Sequence, residues 1–268
     1  MPTRFVKYQA TGNDFVLIDN RATKKAFSGD EIKKLCDRRF GIGADGLILI
    51  ESAKGADFNM VYYNSDGTQS LCGNGCRAAV GYAASLGIIG KSTSFQAFDG
   101  LHQATILDDQ RIRLKMNDVG GIRKLNDAYF MDTGSPHYVR FVKGLQELNV
   151  VEAGRKIRNS DIFKPGGTNA NFVERLPGNA IAVRTYERGV EDETLSCGTG
   201  VTAAALAASL EGYTSPVSVR VKGGQLDVAF KAAPPDRGLA ADGNIPATFV
   251  DIFLIGPAKM VFEGGLEL

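Results

Sequence analysis

The chain has 268 residues, and its 31 Lys and Arg against 30 Asp and Glu give a formal net charge of +1. This balance argues against a nucleic-acid-binding protein, because phosphate contacts need a surplus or a stripe of basic residues. Apolar residues make up 44% of the chain and charged residues 23%, which is typical of a globular protein and not of a disordered one.

Residues 1–20 contain no apolar segment after the basic start and no small-residue cleavage site, so we expect no signal peptide. No apolar run approaches the roughly 18 residues that a membrane span requires, and we expect no membrane partner. The chain has 4 Cys and 2 His. Four cysteines are too few for a disulfide scaffold of this length, so we expect a soluble cytoplasmic protein with reduced thiols.

Along the chain, strand-like segments outnumber helical ones. The pattern Ser28-Gly-Asp-Glu31 is a capping box and predicts a first helix. Two Ala-rich helices are predicted at residues 76–86 and 201–210. Runs of apolar and β-branched residues predict strands at Phe15–Asp19, Leu47–Ile50, Phe58–Tyr63, Arg111–Met116, Asn171–Glu174, Ala180–Tyr186, Val217–Lys222 and Leu226–Phe230. Together these elements predict an α+β fold with mostly antiparallel strands.

Three motifs occur twice, in the same order. Cys72-Gly-Asn-Gly and Cys197-Gly-Thr-Gly lie 125 residues apart. The same spacing separates the segments that begin at Gly41 and Gly166, and 122 residues separate Thr11-Gly-Asn-Asp from Thr133-Gly-Ser-Pro. Such a repeat predicts two similar halves. Because the segment 117–121 has the composition of a loop, we predict an N-terminal half over residues 1–117 and a C-terminal half over residues 118–256.

Each Cys-Gly-x-Gly motif places a thiol directly before a predicted helix. The first amides of a helix have no partner within it, and together with the helix dipole they can bind an anion such as a carboxylate. The same field lowers the pKa of a thiol, so that a thiolate becomes accessible near neutral pH. If Cys72 and Cys197 face one ligand from opposite sides, one can remove a proton from a carbon and the other can return it. We therefore predict a two-base racemase or epimerase.

Other interpretations of the cysteines stay open. A cysteine near a helix start is most often a small buried apolar residue, and we expect that role for Cys36 and Cys76. Cys72 and Cys76 lack a third cysteine or a nearby histidine that would complete a ligand set, so we expect no metal. A redox-sensing or metal-binding cysteine protein remains an alternative of another class, as does an amino-acid-binding module without catalysis.

The motifs resemble those of the diaminopimelate epimerase family. The resemblance covers nearly the whole chain, and the paired cysteine motifs with Tyr186-Glu-Arg-Gly189 are its most specific part. The other matching segments are Thr11-Gly-Asn-Asp-Phe15, Arg39-Phe-Gly-Ile-Gly-Ala-Asp45, Asn64-Ser-Asp-Gly67, Pro136-His137, Asn169 and Gly256-Pro-Ala258. Cys-Gly-x-Gly alone would also fit proline racemase-like relatives.

This resemblance implies a fold and an activity. The fold would consist of two pseudo-symmetric α/β domains, each a mostly antiparallel sheet or partial barrel wrapped on a central helix, with the C-terminal strand 257–268 completing the first half. The activity would be the interconversion of LL- and meso-2,6-diaminopimelate, in lysine and peptidoglycan biosynthesis, by a homodimer without a cofactor. The rival within this fold is a two-cysteine racemase of the proline or hydroxyproline type.

The resemblance also implies roles for individual residues. Cys72 and Cys197 would be the alternating catalytic bases, Glu187 would hold the substrate ammonium and support catalysis, and His137 would be important for activity. Backbone amides of the two glycine motifs would hold the carboxylate on the reacting carbon. The residues implied to bind substrate are Asn13, Asn64, Gly73, Asn74, Ser135, Asn169, Glu187, Arg188, Gly198 and Thr199.

Two residues depart from the family pattern. Ser135 stands where the family usually has Asn, and a hydroxyl cannot make the double contact of an amide. Gly46 stands where many members have Gln, so a polar contact is lost there. Since both thiols, both glycine motifs, Glu187 and Arg188 remain, we expect these changes to affect substrate recognition more than proton transfer.

Overall fold

The computed structural model of the protein describes residues 3–233 and 244–266. The chain forms two compact units, of which the first comprises Met1–Leu114 and Gly256–Leu268 and the second comprises Lys115–Ile255. Within the described ranges, every helix is too short or too polar to cross a membrane.

The first unit is an eight-stranded sheet packed on one helix. Neighbouring strands are antiparallel except for two parallel pairs, the third with the fourth and the fifth with the sixth. A helix connects each parallel pair, α1 (Gly29–Cys36) the first and α2 (Gly73–Ser85) the second. In sheet order the strands are β18 (Lys259–Leu266), β1 (Thr3–Ala10), β2 (Asn13–Asp19), β3 (Gly46–Glu51), β4 (Phe58–Asn64), β5 (Ser92–Ala97), β6 (Gly100–Ile106) and β7 (Ile112–Lys115).

The second unit repeats this arrangement with its own strands. Because one additional two-residue strand comes first in the order below, the corresponding parallel pairs are the fourth strand with the fifth and the sixth with the seventh, and helices α3 (Val150–Arg158) and α4 (Gly198–Leu210) make the two crossovers. A short strand, β13 (Asp192–Thr194), pairs with the sixth strand of the sheet. In sheet order the strands are β16 (Asn244–Ile245), β8 (Ile122–Leu125), β9 (Ala128–Asp132), β10 (Pro136–Phe141), β11 (Asn169–Leu176), β12 (Ala180–Glu187), β14 (Val217–Val221), β15 (Gly224–Ala233) and β17 (Thr248–Gly256).

From β8 to β17 the pattern of strand directions is that of β18 to β7 in the first unit. In each unit the second crossover helix is buried on nearly every side: α2 packs against β1 to β4 and β18, and α4 against strands from β9 to β15. A helix without a polar face belongs in a core. The predicted α+β fold, with a mostly antiparallel sheet on a central helix in each half, is confirmed.

The central helices begin earlier than the Ala-rich runs predicted. Helix α2 starts at Gly73 rather than residue 76, and α4 at Gly198 rather than residue 201. The reason is that each motif cysteine is the N-cap. The carbonyl of Cys72 accepts from the amide of Cys76 at 2.8 Å, and that of Cys197 from the amide of Val201 at 2.8 Å. The glycine motifs are therefore the first turns of the helices.

The sequence also left α3 unpredicted. Asn149 caps it by accepting from the amide of Glu152, and the helix packs against β11 and β12. At the contact with β12, a Cβ on Gly154 would lie 2.2 Å from Cβ of Tyr186, so only glycine allows the helix this close. Tyr186 in turn precedes Glu187 and Arg188 at the end of β12.

Replacing Gly154 with Ala should therefore destabilise the protein by about 1–3 kcal/mol, because the methyl group pushes α3 away from β12. Urea denaturation followed by circular dichroism measures the change. Gly29→Ala in the first turn of α1 is the matched control, since nothing lies within 4 Å of the added methyl group. An equal stability for both variants would contradict the close packing at Gly154.

Candidate active site

In the first unit, the Cys72 thiol lies at the start of α2 beside two asparagines. Its Sγ accepts a hydrogen bond from the amide of Gly75 at 3.4 Å and donates to Oδ1 of Asn13 at 3.5 Å. Nδ2 of Asn74 donates to the same Asn13 oxygen at 3.2 Å. Asn13, Cys72 and Asn74, three residues singled out from the sequence, are thus one hydrogen-bonded group.

Asp45 orients the Asn13 side chain. Its Oδ2 accepts from Nδ2 of Asn13 and, at 3.1 Å, from the backbone amide of Asp14. With its NH₂ group held by a carboxylate, the amide of Asn13 must present its oxygen to Cys72. Asp45 lies in a motif that matches the family, although the motif alone implies no role for it; in the structure it is the residue that fixes which end of Asn13 faces the thiol.

A charge cluster anchors this carboxylate. Arg38 bonds both oxygens of Asp14, at 3.0 and 2.7 Å, and Oδ1 of Asp45 at 2.8 Å. The buried Lys7 lies 2.8 Å from Asp14. Burial alone would raise the pKa of Asp14, but the hydrogen bonds and charges of Arg38 and Lys7 lower it to about 2. The Asp14 carboxylate therefore stays ionised at neutral pH and keeps its ion pairs with Arg38 and Lys7.

Asn64 and Gly46 lie next to each other across the β3–β4 pair. The side chain of Asn64 bonds Thr68 and Ser70, so it shapes the loop that leads to Cys72. A Cβ on Gly46 would lie 2.4 Å from the Tyr62 ring and 2.4 Å from the carbonyl of Tyr63. Tyr62 thus fills the space that a longer side chain would need, which accounts for glycine at this departure from the family pattern.

In the second unit, a directed chain of hydrogen bonds ends at Cys197. Thr185 donates to Oδ1 of Asn171 at 2.9 Å, so the NH₂ group of Asn171 faces Nδ1 of His137, at 3.0 Å. Nδ1 therefore accepts, and Nε2 carries the proton and donates to Oγ1 of Thr199 at 2.9 Å. Because the hydroxyl oxygen of Thr199 accepts from His137, the hydroxyl proton of Thr199 can be donated to Sγ of Cys197, 3.5 Å away.

His137 is fully buried, and this decides its chemistry. Burial and the positive charge of Arg188 lower its pKa to about 3. The imidazole is therefore neutral near pH 7 and serves as a fixed donor to Thr199, not as a group that changes charge.

Asn169 joins two further residues singled out from the sequence. Its NH₂ group donates to Oγ of Ser135 at 2.8 Å and to the carbonyl of Pro136 at 2.9 Å. Its oxygen accepts from the backbone amide of Arg188 at 2.8 Å. Both ends of this buried amide are thus engaged within the protein, and Asn169 sets the positions of Ser135 and Arg188.

Glu187 is the last residue of β12, and Arg188 follows it in a tight turn. The backbone amide of Glu191 closes the turn on the carbonyl of Glu187 at 2.8 Å. The Glu191 carboxylate accepts from Tyr186 at 3.0 Å, from the amide of Gly189 at 3.0 Å and from Arg158 at 3.1 Å. Arg188 is half-buried, and its Nη1 donates to the carbonyl of Gly166 at 3.3 Å. The turn holds a carboxylate and a guanidinium on adjacent residues.

Cys36 and Cys76 are buried, as predicted for core residues. Burial raises the pKa of Cys36 to about 11 and raises that of Cys76 further. Both thiols are thus protonated at neutral pH and unsuited to proton transfer.

Sequence reasoning missed the residues behind the motifs. Asn171 and Thr185 support His137, and Asp45 supports Asn13, although none of the three belongs to a Cys-Gly-x-Gly motif. One signal was available for Asn171, because it lies two residues after Asn169 on a predicted strand and so shares its face.

The buried neutral His137 makes a pH-dependent contribution to stability. In the unfolded chain a histidine binds its proton near pH 6.5, whereas His137 does so near pH 3. Between these values the unfolded state binds more protons, so acidification should remove about 1.4 kcal/mol of stability per pH unit through this group. In His137→Gln, which carries no such group, this part of the pH dependence should be missing.

Urea denaturation of both proteins at pH 7.5, 6 and 5 measures the difference. We expect the parent to be the more stable protein at pH 7.5 and its advantage to shrink on acidification. A constant difference at all three pH values would show that His137 is not buried in its neutral form.

Comparison with known proteins places this geometry in a family. A family described as Diaminopimelate epimerase matches residues 5–120 and 129–239. The chain is 48% identical to a diaminopimelate epimerase of Flavobacterium psychrophilum, over 97% of this chain and 98% of that protein. It is 40% identical to one of Chlorobaculum tepidum, over 96% and 98% of the two chains.

Solved structures of lower identity share the fold. A hydroxyproline epimerase from Agrobacterium vitis aligns with a TM-score of 0.70 at 15% identity, covering 100% of this chain and 94% of that one. A PhzF-family phenazine biosynthesis protein from Bacillus anthracis aligns with a TM-score of 0.70 at 14% identity, covering both chains completely. These likenesses concern the fold alone, whereas the family match and the sequence identities extend over nearly the whole chain. The chain belongs to the diaminopimelate epimerase family.

Proposed function

We propose that the protein interconverts LL- and meso-2,6-diaminopimelate, a step of lysine and peptidoglycan biosynthesis, by two-base proton transfer at the α-carbon, with Cys72 and Cys197 as the two bases. The observation that carries the proposal is the same in both units: a cysteine is the N-cap of a buried helix. Membership of the family supplies the substrate, because the relatives of highest identity described above are diaminopimelate epimerases.

The reaction inverts the configuration at the α-carbon. The thiolate of one cysteine takes the proton from the α-carbon, so that an S–H bond forms, the C–H bond breaks and its electron pair moves toward the carboxylate. The thiol of the other cysteine then gives its proton to the opposite face of the carbon. One thiolate and one thiol remain, with their positions exchanged, and the next turnover can run in the reverse direction.

Charge that develops on the substrate carboxylate needs donors fixed in advance. We assign these to the first backbone amides of α2 and α4, at Gly73, Asn74, Gly198 and Thr199, because the first amides of a helix lack partners within it. Donors of this kind and two positioned thiols supply proton transfer and electrostatic stabilisation, so the proposal requires no cofactor.

The remaining site residues either bind the substrate or position the residues that bind it. We assign Glu187 to the substrate ammonium, and Arg188, whose planar fork suits a carboxylate, to the distal end of the substrate. Asn13, Asn64 and Ser135 would complete substrate binding. His137 and Asn169 would act by holding Thr199, Ser135 and Arg188, as their engaged hydrogen-bonding groups support.

The compartment follows from the chemistry of the proposal. Both catalytic cysteines must stay reduced, and all four cysteines are free thiols. We therefore propose that the enzyme works in the cytoplasm, where thiols are kept reduced.

Replacing Cys72 or Cys197 with Ala should lower turnover at least about 10³-fold, because each substitution removes the proton carrier of one face. The measurement is wash-in of deuterium at the α-carbon of LL- and meso-diaminopimelate in heavy water. Cys36→Ala is the matched control, because Cys36, the last residue of α1, packs in the core, and the activity of this variant should stay within about twofold of the parent.

Near-normal epimerisation by either alanine variant would refute the two-thiol mechanism. Proline and hydroxyproline in the same assay test the substrate assignment, since exchange at their α-carbons without exchange on diaminopimelate would favour the rival within this fold. Binding of diaminopimelate without deuterium wash-in would indicate a binding module.

We also propose a homodimer. Among the described residues β18 pairs with β1 alone, so it is an edge strand, and its consecutive residues Met260, Val261 and Phe262 are 51, 56 and 45% exposed. Apolar residues on a free edge favour association.

Sedimentation equilibrium should give twice the chain mass, and Val261→Lys should shift the equilibrium toward monomer. A monomeric parent at micromolar concentration would contradict the dimer, and Val190→Lys, at another exposed apolar residue, is the control.

A further inference from the structure

Arg77 is a charged residue that the mechanism above leaves without a part. It lies in the second turn of α2, five residues after Cys72, and its side chain is 0% exposed. Arginine is almost never fully buried unless it is paired with an acid. No ion pair of Arg77 with an acidic side chain occurs among the residues that the structure describes.

The contacts of Arg77 lead back to the thiol. Its Nη2 donates to Oδ1 of Asn74 at 2.9 Å and to Oγ1 of Thr11 at 3.2 Å. Arg77 holds the side-chain oxygen of Asn74. The NH₂ group of Asn74 therefore points the other way and donates to the Asn13 oxygen, which also accepts from Cys72. Arg77 thereby fixes the orientation of Asn74 within the group around the thiol.

Its burial is costly for stability alone. Nε and Nη1 have no hydrogen-bond partner within residues 3–233 and 244–266. Unsatisfied buried donors destabilise a fold, and more so when they carry charge. A buried apolar residue would avoid this cost at the same place, so the position of the charge points to a use other than packing.

The guanidinium remains charged near neutral pH. Burial lowers the pKa of Arg77 to about 10, and the opposing interactions that raise it come from Cys72 and Cys76. Cys76 is protonated, because burial raises its pKa. The negative charge of Asp99, in the turn between β5 and β6, raises the pKa of Cys76 as well. Asp45 lies beyond Asn13 and is paired with Arg38, while Lys7 is paired with Asp14. The cation on α2 itself is Arg77.

The second unit has a neutral residue at the corresponding place. Five residues after Cys197 stands Thr202, which is fully buried and donates to the carbonyl of Gly198 at 3.0 Å. The two thiols therefore follow the same helix geometry while only the helix of Cys72 carries a buried cation within its second turn.

We propose that Arg77 is a positioning residue for Cys72: its guanidinium orients Asn74 toward Asn13, and its charge favours the thiolate form of the Cys72 thiol. The role in turnover rests on the proposed epimerase function, because it is there that Cys72 must act as a base. The effect on the thiol itself does not, and it can be measured without substrate.

The experiment measures the rate at which iodoacetamide labels Cys72 as a function of pH, in the full chain with Cys197→Ala. Mass spectrometry of the Cys72 peptide separates this label from the others. Arg77→Gln and Arg77→Met should raise the midpoint of the labelling curve by about 1 pH unit or more, because a nearby cation is lost. Arg77→Lys, which keeps the charge, should stay within about half a unit of the parent.

Two controls separate the charge from a loosened helix. Thr11→Val removes one acceptor of Arg77 and keeps the cation, so the midpoint should not move. In the chain with Cys72→Ala, Arg77→Gln should leave the labelling midpoint of Cys197 unchanged. Arg77→Gln also keeps an amide that can bond Asn74, so it tests the charge even where Arg77→Met does not fold.

An unchanged Cys72 midpoint in Arg77→Gln would overturn the proposal, and so would an equal shift at Cys197 or in Thr11→Val. Loss of the proposed function has a different signature, because a parent chain without epimerase activity would still show the labelling shift.

Discussion

Burial of the two central helices is the constraint on which the rest of the structure depends. A helix enclosed by its own sheet must present small side chains, and α4 meets this with alanines while its first turn stays glycine-rich. A Cβ at Gly200 would lie 2.4 Å from Oδ1 of Asn171, and one at Gly75 would lie 3.2 Å from Met60. Packing within the second unit therefore requires the last glycine of the Cys197 motif, whereas a side chain at Gly75 would need the end of Met60 to shift by a few tenths of an ångström.

The two units place different buried polar groups near their motif cysteines. Behind Cys72 the group is a guanidinium with few partners, whereas behind Cys197 it is a neutral imidazole in a complete chain of donors and acceptors. The shared strand order fixes where each thiol stands, and the differing groups set the electrostatic surroundings of each. A duplicated fold can thus place two chemically similar side chains in dissimilar fields.

Local sequence patterns predicted most of the scaffold. The Ser28–Glu31 capping box is present as predicted, and all the predicted strand segments overlap observed strands. Helix α3 escaped prediction because it is short, and because Gly154 lowers the helix propensity of the segment and its contact with Tyr186 is not visible in the sequence. The repeat and the family motifs identified Cys72 and Cys197 as candidate catalytic residues. The roles of Arg77 and of the contact between Asn171 and His137 could not be found in this way, because a charged residue in an Ala-rich helix is expected to be solvent-exposed, and a pairing across strands requires the three-dimensional register.

The pairing of β1 with β18 has a consequence for how the chain is made. Thr3 pairs with Leu266 and Gln9 with Lys259, so β1 can pair with β2 early, but its second neighbour, β18, is made only after the whole second unit has been synthesised. Contacts this distant in sequence are slow to form. During translation the second unit can therefore complete its sheet while β1 still has an open edge, and the unit that begins the chain is the last to be finished.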